Sequence, residues 1–393
     1  IETLVLPEGI TELGESAFAS CAKLKSVTLP YSLENLGVSA FASCTSLSKV
    51  TMTKAADGTS KLAAIGNLAF QKTLIESFVF PTLSEGKVLS LGTSLFSGCT
   101  ALDSVYLSKS VGNVTGVFTG CNTIKNFVVD PESENFSSVE GSPILYNKNG
   151  TAYKYICGLL TGSHTIPEGV TEISENVFLN QIGLTELYIP YTVQKIGANA
   201  FQGCTALTKV VFEHSAEHPS QLSVADLGNY LFAKCTSLTD VTLPANLTVI
   251  PKYMFSECTS LTTITLPAGT TEIGDSAFNK AGLTEITIPA TVKSIGSSAF
   301  SGASKGNGTL VKVTFAKDKD GNCALTSIGS NAFRFQNIVS IVIPKSVTTI
   351  GNYAFATNLD LTSFTFESGT KITTFGTYIF STCEKLPTFT VPK

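Results

Sequence analysis

Apolar side chains recur along the chain in two fixed phrases. The first, A-F-x-x-C, contains a Phe that we use as a marker, and 23 residues separate Phe18 from Phe41 and Phe232 from Phe255. The second, L-x-x-V-x-L-P, lies between successive markers, for example at 24–30. A fixed period of this size is the signature of a repeat architecture, in which each coil packs only on its neighbours. The pattern therefore predicts a stack of coils of about 23 residues.

The second phrase predicts a short strand. Val27 and Leu29 alternate with polar residues at period two, which indicates one buried face. Pro30 has no N–H for a ladder and ends the strand. We expect these phrases, including those at 261–267 and 338–344, to form one continuous parallel sheet. The markers should form one buried column, which includes Phe18, Phe41, Phe201, Phe255, Phe278 and Phe355.

The whole chain follows this repeat, so a single domain over 1–393 is predicted. A third phrase, V-T-x-I-G, closes each coil, and at 347–351 its Gly is expected to turn the chain sharply. An all-helical fold fails because no segment keeps a 3.6-residue period for three turns, and a β-sandwich predicts no fixed repeat. The predicted fold class is a β-rich solenoid.

Composition excludes several function classes. Apolar residues make up 43% of the chain, enough for a continuous core, and the net charge is −4. Arg334 is the only Arg and no Lys-rich run occurs, which argues against a nucleic-acid partner. No apolar run approaches the roughly 18 residues of a membrane span. The chain begins at Ile1, inside a repeat, which is typical of a mature or trimmed fragment.

The combined pattern L-x-x-I-x-L-P-x-x-V-x-x-I-G-x-x-A-F-x-x-C resembles the BspA-like (treponemal-type) leucine-rich repeats of bacterial surface proteins over almost the whole chain. The resemblance implies a right-handed parallel leucine-rich-repeat solenoid. A longer element of that family matches 135–148 and returns to the repeat at 165–170. We therefore expect a hairpin-containing insertion at 130–165, in which Asn149-Gly150 predicts a type I′ turn.

The resemblance also implies a function. Members of the BspA-like family are secreted or surface-anchored bacterial proteins that adhere to host matrix or plasma proteins, or to other microbes. Two other functions remain open, a rigid stalk or spacer that presents another domain and a glycan-binding module. The chain has three His, no G-x-S-x-G motif and no phosphate-binding Gly loop, so no enzyme and no cofactor are predicted.

Cysteines occupy one phase of the repeat. Eight of the ten lie three residues after a marker Phe, and other coils have Ala, Thr, Asn or Gln there. Such exchange indicates a small-residue slot in a stacked core, and parallel side chains of adjacent coils suit a disulfide poorly. We predict free, buried thiols.

Two polar clusters have metal-ligand character. His214 and His218 have a spacing that binds metal on a helix, but they precede Pro219 in a polar segment, so a loop is the preferred interpretation and a metal site the alternative. Asp318, with Asp320 and Asn322, resembles the start of a calcium loop without its closing Glu, which favours a hairpin turn. No metal is predicted at either cluster.

Three coils carry insertions at one phase. The strand-ending Pro is replaced by Thr53, Glu213 or Ala316, and extra residues follow at 53–61, 213–223 and 316–323. Insertions at one phase project from one edge of a solenoid. Tolerated surface loops are the preferred interpretation, and a binding edge is the alternative.

The outward strand position is usually Thr, but it changes in the middle coils. A solvent-facing Tyr offers apolar area and a hydrogen-bonding tip at small entropic cost, so the changed positions predict a binding face. The competing interpretation is ordinary strand residues that the element at 130–165 covers. The candidate site residues are Tyr106, Val128, Tyr188 and Val211, with Glu186 and Lys209 as a polar rim.

Overall fold

A computed structural model describes residues 1–121, 123–156, 158–222, 224–388 and 390. The chain divides into two compact units, residues 1–159 and residues 160–393. The single-domain assignment stays a prediction.

The first unit consists of short strands, one or two in each coil. They are β1 (Thr3–Val5), β2 (Glu12–Leu13), β3 (Ser26–Leu29), β4 (Asn35–Leu36), β5 (Lys49–Met52), β6 (Ala64–Ile65), β7 (Ser77–Val79), β8 (Ser90–Leu91), β9 (Ser104–Leu107), β10 (Asn126–Val129), β11 (Phe136–Ser138), β12 (Ile144–Asn147) and β13 (Ala152–Ile156).

The second unit also consists of short strands, and its described residues include one short 3-10 helix, Val224–Asp226. Its strands are β14 (Gly162–Thr165), β15 (Glu172–Ile173), β16 (Leu184–Ile189), β17 (Lys195–Ile196), β18 (Lys209–Phe212), β19 (Asp240–Thr242), β20 (Val249–Ile250), β21 (Glu272–Ile273), β22 (Glu285–Ile288), β23 (Ser294–Ile295), β24 (Lys312–Phe315), β25 (Ser327–Ile328), β26 (Ser340–Ile343), β27 (Thr349–Ile350), β28 (Ser363–Phe366) and β29 (Thr374–Phe375).

The L-x-x-V-x-L-P phrases form parallel ladders, as predicted, but not one continuous sheet. In the first unit the ladders are β1-β3-β5 and β7-β9-β10, and in the second they are β14-β16-β18-β19 and β22-β24-β26-β28. Within the first unit the break follows the insertion that starts at Thr53. Within the second unit it lies at 261–267, where a strand was predicted and the backbone forms none.

The marker Phe side chains form the core, stacked one coil above the next. In the first unit Phe41 lies 5.9 Å from Phe70, and in the second Phe255 lies 5.4 Å from Phe278, measured between ring centroids. The two ring planes are nearly parallel in both pairs, with angles of 2° and 14° between them. The five other predicted rings are buried, but Phe18 is only partly so, because it stacks on Phe41 on one side and residues 1–17 supply no marker ring for the other.

The V-T-x-I-G phrases form a second set of parallel two-residue strands, β2-β4-β6-β8 in one unit and β20-β21-β23-β25-β27-β29 in the other. Their glycines do not turn the chain sharply, since Gly351 and its equivalents have no positive φ. A Cβ on Gly351 would lie 2.5 Å from the Ser330 nitrogen of the preceding coil. Glycine is required here because the stacked backbones approach too closely for a side chain.

The element at 130–165 contains the predicted hairpin, with β11, β12 and β13 antiparallel. The turn type differs from the prediction. A type I′ turn needs positive φ at both central residues, but in this turn only Gly150 has a positive φ, of 71°. Instead the Asn147 carbonyl accepts from the Gly150 N–H at 3.0 Å, and the Asn147 side chain accepts from Thr151 and Ala152.

Candidate functional site

In the first unit, three outward side chains line up across β7, β9 and β10. Strand register places Tyr106 beside Val79 on one side and beside Val128 on the other. Val79 is 50% exposed and Val128 is 40% exposed, while Tyr106 is partly exposed. We call Val79, Tyr106 and Val128 the Tyr106 row. It is an apolar strip with one phenolic hydroxyl, on a face where most coils have Thr.

The Asp130 carboxylate affects the Tyr106 hydroxyl. Partial burial, and next the charge and hydrogen bond of the Asp130 carboxylate, raise the pKa of Tyr106 above its ordinary value. The hydroxyl therefore stays protonated at neutral pH.

The element at 130–165 contacts the last strand of the Tyr106 row without covering the row. Gly141 donates to the Asn126 side chain at 3.0 Å, and Phe127 donates to the Ser142 carbonyl at 3.2 Å. These bonds cover the free edge of β10, whereas the Val128 side chain stays exposed.

In the second unit, strand register aligns Thr165, Tyr188, Val211 and Thr242 across β14, β16, β18 and β19. We call these four residues the Tyr188 row. Tyr188 and Val211 are partly exposed. The apolar part of this row is therefore one Tyr and one Val, flanked by Thr on both sides.

A charged row runs parallel to the Tyr188 row, two residues earlier in each strand. Register pairs Glu186 with Lys209, and Lys209 with Asp240. The Tyr188 hydroxyl donates to Glu186 Oε2 at 3.0 Å, and this hydrogen bond raises the pKa of Tyr188. The Lys209 ammonium lies 6.0 Å from the Tyr188 ring centroid and 3.8 Å from Asp240 Oδ2. The ring thus has a charge of each sign at its edge.

The candidate residues therefore fall into two groups. Tyr106 and Val128 are neighbours in the first unit, and Tyr188, Val211, Glu186 and Lys209 are neighbours in the second. Sequence reasoning missed Val79, which lies between the buried Phe78 and Phe80. Its signal was available, since Val79 occupies the outward position that Thr holds in most coils.

Polar side chains in two of the insertions contact neighbouring residues. Asp318 Oδ1 accepts from the Asp320 and Asn322 N–H groups at 2.9 and 2.7 Å, and these bonds, with that from Asn322 the largest effect, lower the pKa of Asp318. His214 Nδ1 lies 2.8 Å from the Phe212 carbonyl oxygen, and His218 packs on Tyr191. Among the residues that the structure describes, no three His, Cys, Asp or Glu side chains are grouped to hold a metal ion.

The frame cysteines are free thiols, and the nine cysteines in the described ranges form no disulfide. Six of the eight are buried as predicted, but Cys21 and Cys383 are partly exposed because they lie in the outermost coils. Each buried thiol faces a backbone acceptor, for example Cys258 Sγ, which donates to the Phe232 carbonyl at 3.1 Å. Cys157 lies outside the described residues.

A family model for the BspA type leucine-rich repeat region matches this chain with six copies, over residues 54–139, 151–223, 171–307, 225–355 and 322–393. The chain belongs to the BspA-type leucine-rich-repeat family. The match covers most of the chain, including the Tyr106 row and the Tyr188 row. A solved structure of a similar protein agrees with the fold.

A leucine-rich repeat protein from Eubacterium ventriosum is 24% identical, with 78% of this chain and 86% of that one aligned and a TM-score of 0.51. A leucine-rich cell surface protein from Faecalibacterium prausnitzii is 22% identical over 82% of this chain and 91% of that one, with a TM-score of 0.45. The search of curated proteins returned no match. Within the described part of the chain, no helix has the length and hydropathy to cross a bilayer.

Proposed function

We propose that this chain is a non-enzymatic recognition module of the bacterial surface that binds a protein partner through its outward strand faces. Membership of a leucine-rich-repeat family supports protein interaction as the general role. The surface location and the adhesive role are part of this proposal, and host matrix proteins, plasma proteins or other microbial surfaces are the partner classes that fit it.

The observation that carries the proposal is the composition of the two rows. A stalk needs only a strand face of small polar residues, such as the Thr that most coils have at the outward position. The Tyr106 row instead exposes two Val beside a Tyr, and the Tyr188 row has Glu186 and Lys209 at the ring edge. An oriented aromatic anchor with a polar rim is typical of binding hot spots.

The experiment measures binding of the purified chain to immobilised extracellular-matrix and plasma protein fractions by biolayer interferometry. We expect Tyr106→Ala with Tyr188→Ala to fold normally and to weaken binding at least about tenfold, since a hot-spot Tyr contributes about 2 kcal/mol or more. The single variants then show which row makes the contact.

The matched control is Tyr378→Ala, which removes an exposed Tyr that stacks on Tyr353 away from the strand faces. It should bind like the parent chain. Unchanged affinity in the double variant contradicts the role of the two rows and moves the site to the insertion edges. Absence of binding to every fraction favours the spacer.

A further inference from the structure

A groove of about 1000 Å³ opens on the strand face of the second unit, between β19 and β22. Its floor and walls come from three successive coils, at 239–241, 263–268 and 285–291, with part of the next coil at its far side. The groove adjoins the Tyr188 row, because β19 carries Thr242 of that row and Asp240 of the charged row beside it, but neither Tyr106 nor Tyr188 lines the groove. A ligand in the groove therefore needs neither tyrosine.

The groove exists because one coil has lost its ladder. In other coils the backbone N–H of the residue before Pro donates to the backbone carbonyl of the outward residue in the next coil. Phe80 donates in this way to Tyr106, and Ile166 donates to Tyr188, each at 3.0 Å. The equivalent bonds here would run from Leu243 to Thr265 and from Leu266 to Thr287. Neither is formed, and within residues 224–388 the N–H groups of Leu243 and Leu266 have no acceptor.

The opening also uncovers side chains of the core. Val241 and Ile264 occupy the inward strand position, and both are partly exposed. The equivalent side chains of the flanking coils, Val210 and Ile286, are buried. The groove thus has an aliphatic floor between two strand edges that carry unpaired backbone groups. Such edges bind an extended peptide by adding its backbone to the sheet.

The charges at the groove define the peptide further. Asp240 and Glu285 stand on the opposite walls, one coil before and one coil after Thr263, at the same repeat position. Their lysine partners, Lys209 and Lys312, lie one coil farther out at 3.8 and 3.9 Å, and all four side chains are at least 38% exposed. Lys312 also lines the far side of the groove with Lys317 and Asp318, and Lys317 pairs with Glu367 at 2.7 Å. Such pairs neutralise little. A cationic side chain above Thr263 would lie between two carboxylates.

We infer that this groove binds an extended peptide segment of a partner protein, with aliphatic side chains toward Val241 and Ile264 and a Lys or Arg between Asp240 and Glu285. The backbone of that peptide supplies the hydrogen bonds that the coil at 261–267 lacks. Alternate side chains of a strand point to opposite faces, so one five-residue segment meets both the aliphatic floor and the acidic walls.

The test uses a fluorescein-labelled peptide of sequence Thr-Val-Arg-Val-Thr, blocked at both ends, and the full chain in a fluorescence anisotropy titration. We expect saturable binding. A peptide with N-methylated backbone amides should bind at least about tenfold more weakly, since it cannot donate to the Thr265 and Thr287 carbonyls, to which Leu243 and Leu266 do not donate. A peptide with Glu in place of Arg should also bind more weakly, because it meets two carboxylates.

Variants of the chain locate the site. Asp240→Asn with Glu285→Gln should weaken binding about threefold to tenfold, the effect of losing two exposed charge contacts. Glu257→Gln is the matched control, since it removes one partner of a similar ion pair, with Lys280 at 3.8 Å, outside the groove. It should leave the affinity unchanged.

Hydrogen exchange gives a readout that does not depend on the variants. The Leu243 and Leu266 amides should exchange fast in the free chain and slowly with the peptide bound, while the Ile166 amide exchanges slowly in both. Lack of binding at millimolar peptide, equal affinity for the N-methylated peptide, or fast Leu243 and Leu266 exchange in the complex would each overturn the inference. None of these outcomes bears on the tyrosine variants, so the two proposals fail separately.

Discussion

At the scale of single residues, the close stacking of the coils determines which side chains each position of the repeat accepts. The frame cysteine donates to the carbonyl of the marker Phe one coil earlier, as Cys44 does to Phe18 at 3.1 Å. Where the cysteine is absent, Asn358 and Gln336 donate to Phe333 and Phe300 in the same way. Most residues in the slot therefore supply a hydrogen-bond donor, whereas Ala281 and Ala303 fill it without one. An unpaired buried carbonyl is costly, which explains why Cys, Asn and Gln can exchange there.

The glycine that closes each coil provides a sharp test of this stacking. A Cβ at Gly37 would lie 2.6 Å from the Gly14 carbonyl carbon, so we expect Gly37→Ala to lower the free energy of unfolding by about 1–3 kcal/mol, as overpacking does. Gly14→Ala is the control, because nothing lies within 4 Å of a Cβ there. Urea unfolding monitored by circular dichroism measures both. Equal stability of the two variants would contradict the stacking explanation.

At the scale of elements, the strands are short and each depends on its neighbours. The outward strands have three to six residues, and each pairs with at least one neighbouring strand. The coil at 261–267 has the consensus phrase, yet it lacks a ladder. The hairpin is different, because its antiparallel strands pair locally and its turn is held by one side chain.

Asn147 is that side chain, and its removal should loosen the hairpin. Its Oδ1 accepts from Thr151 and Ala152 at 2.8 and 3.0 Å, and its Nδ2 donates to the Thr151 hydroxyl at 3.1 Å. Asn147→Ala should therefore cost about 1–2 kcal/mol, measured as faster hydrogen exchange of the Tyr146 and Tyr153 amides.

Asn149→Ala distinguishes the observed turn from the predicted one. A type I′ turn would need a left-handed conformation at Asn149, which Ala adopts at a cost of about 1–2 kcal/mol. In the structure Asn149 has no positive φ, so Asn149→Ala should be nearly neutral. If this variant proves the more damaging of the two, the turn assignment is wrong.

At the scale of the whole molecule, the buried thiols make stability depend on alkaline pH. Burial raises the pKa of Cys44 and Cys99, and it raises the pKa of Cys258 from the ordinary 9.0 to about 12. Below pH 9 the thiols are protonated in both the folded and the unfolded chain, so they add no pH dependence. Above pH 9 only the unfolded chain loses these protons, so the folded state loses stability as pH rises toward 12.

Urea unfolding at pH 8, 9.5 and 11 should show this loss, and Cys258→Ala should reduce the slope between pH 9.5 and 11. Mass spectrometry after native alkylation at pH 8 gives a second measurement, in which Cys21, Cys323 and Cys383 react and the six buried thiols do not. Denaturation should make the six react. Rapid native labelling of Cys258 would contradict the burial.

The period of the sequence determined much of this protein: the parallel β-rich coils, the stacked Phe markers and the phase of the frame cysteines. These features follow from spacing, because a repeated side-chain pattern forces like positions to stack. Packing between coils decided the rest. The close approach of stacked backbones requires glycine at Gly351. Phe18 is partly exposed because it stacks on a marker ring on one side only, and strand register places Val79 beside Tyr106. The ladder break at Leu266 is likewise invisible in the consensus phrase, because a strand forms only when its neighbours lie within hydrogen-bonding distance.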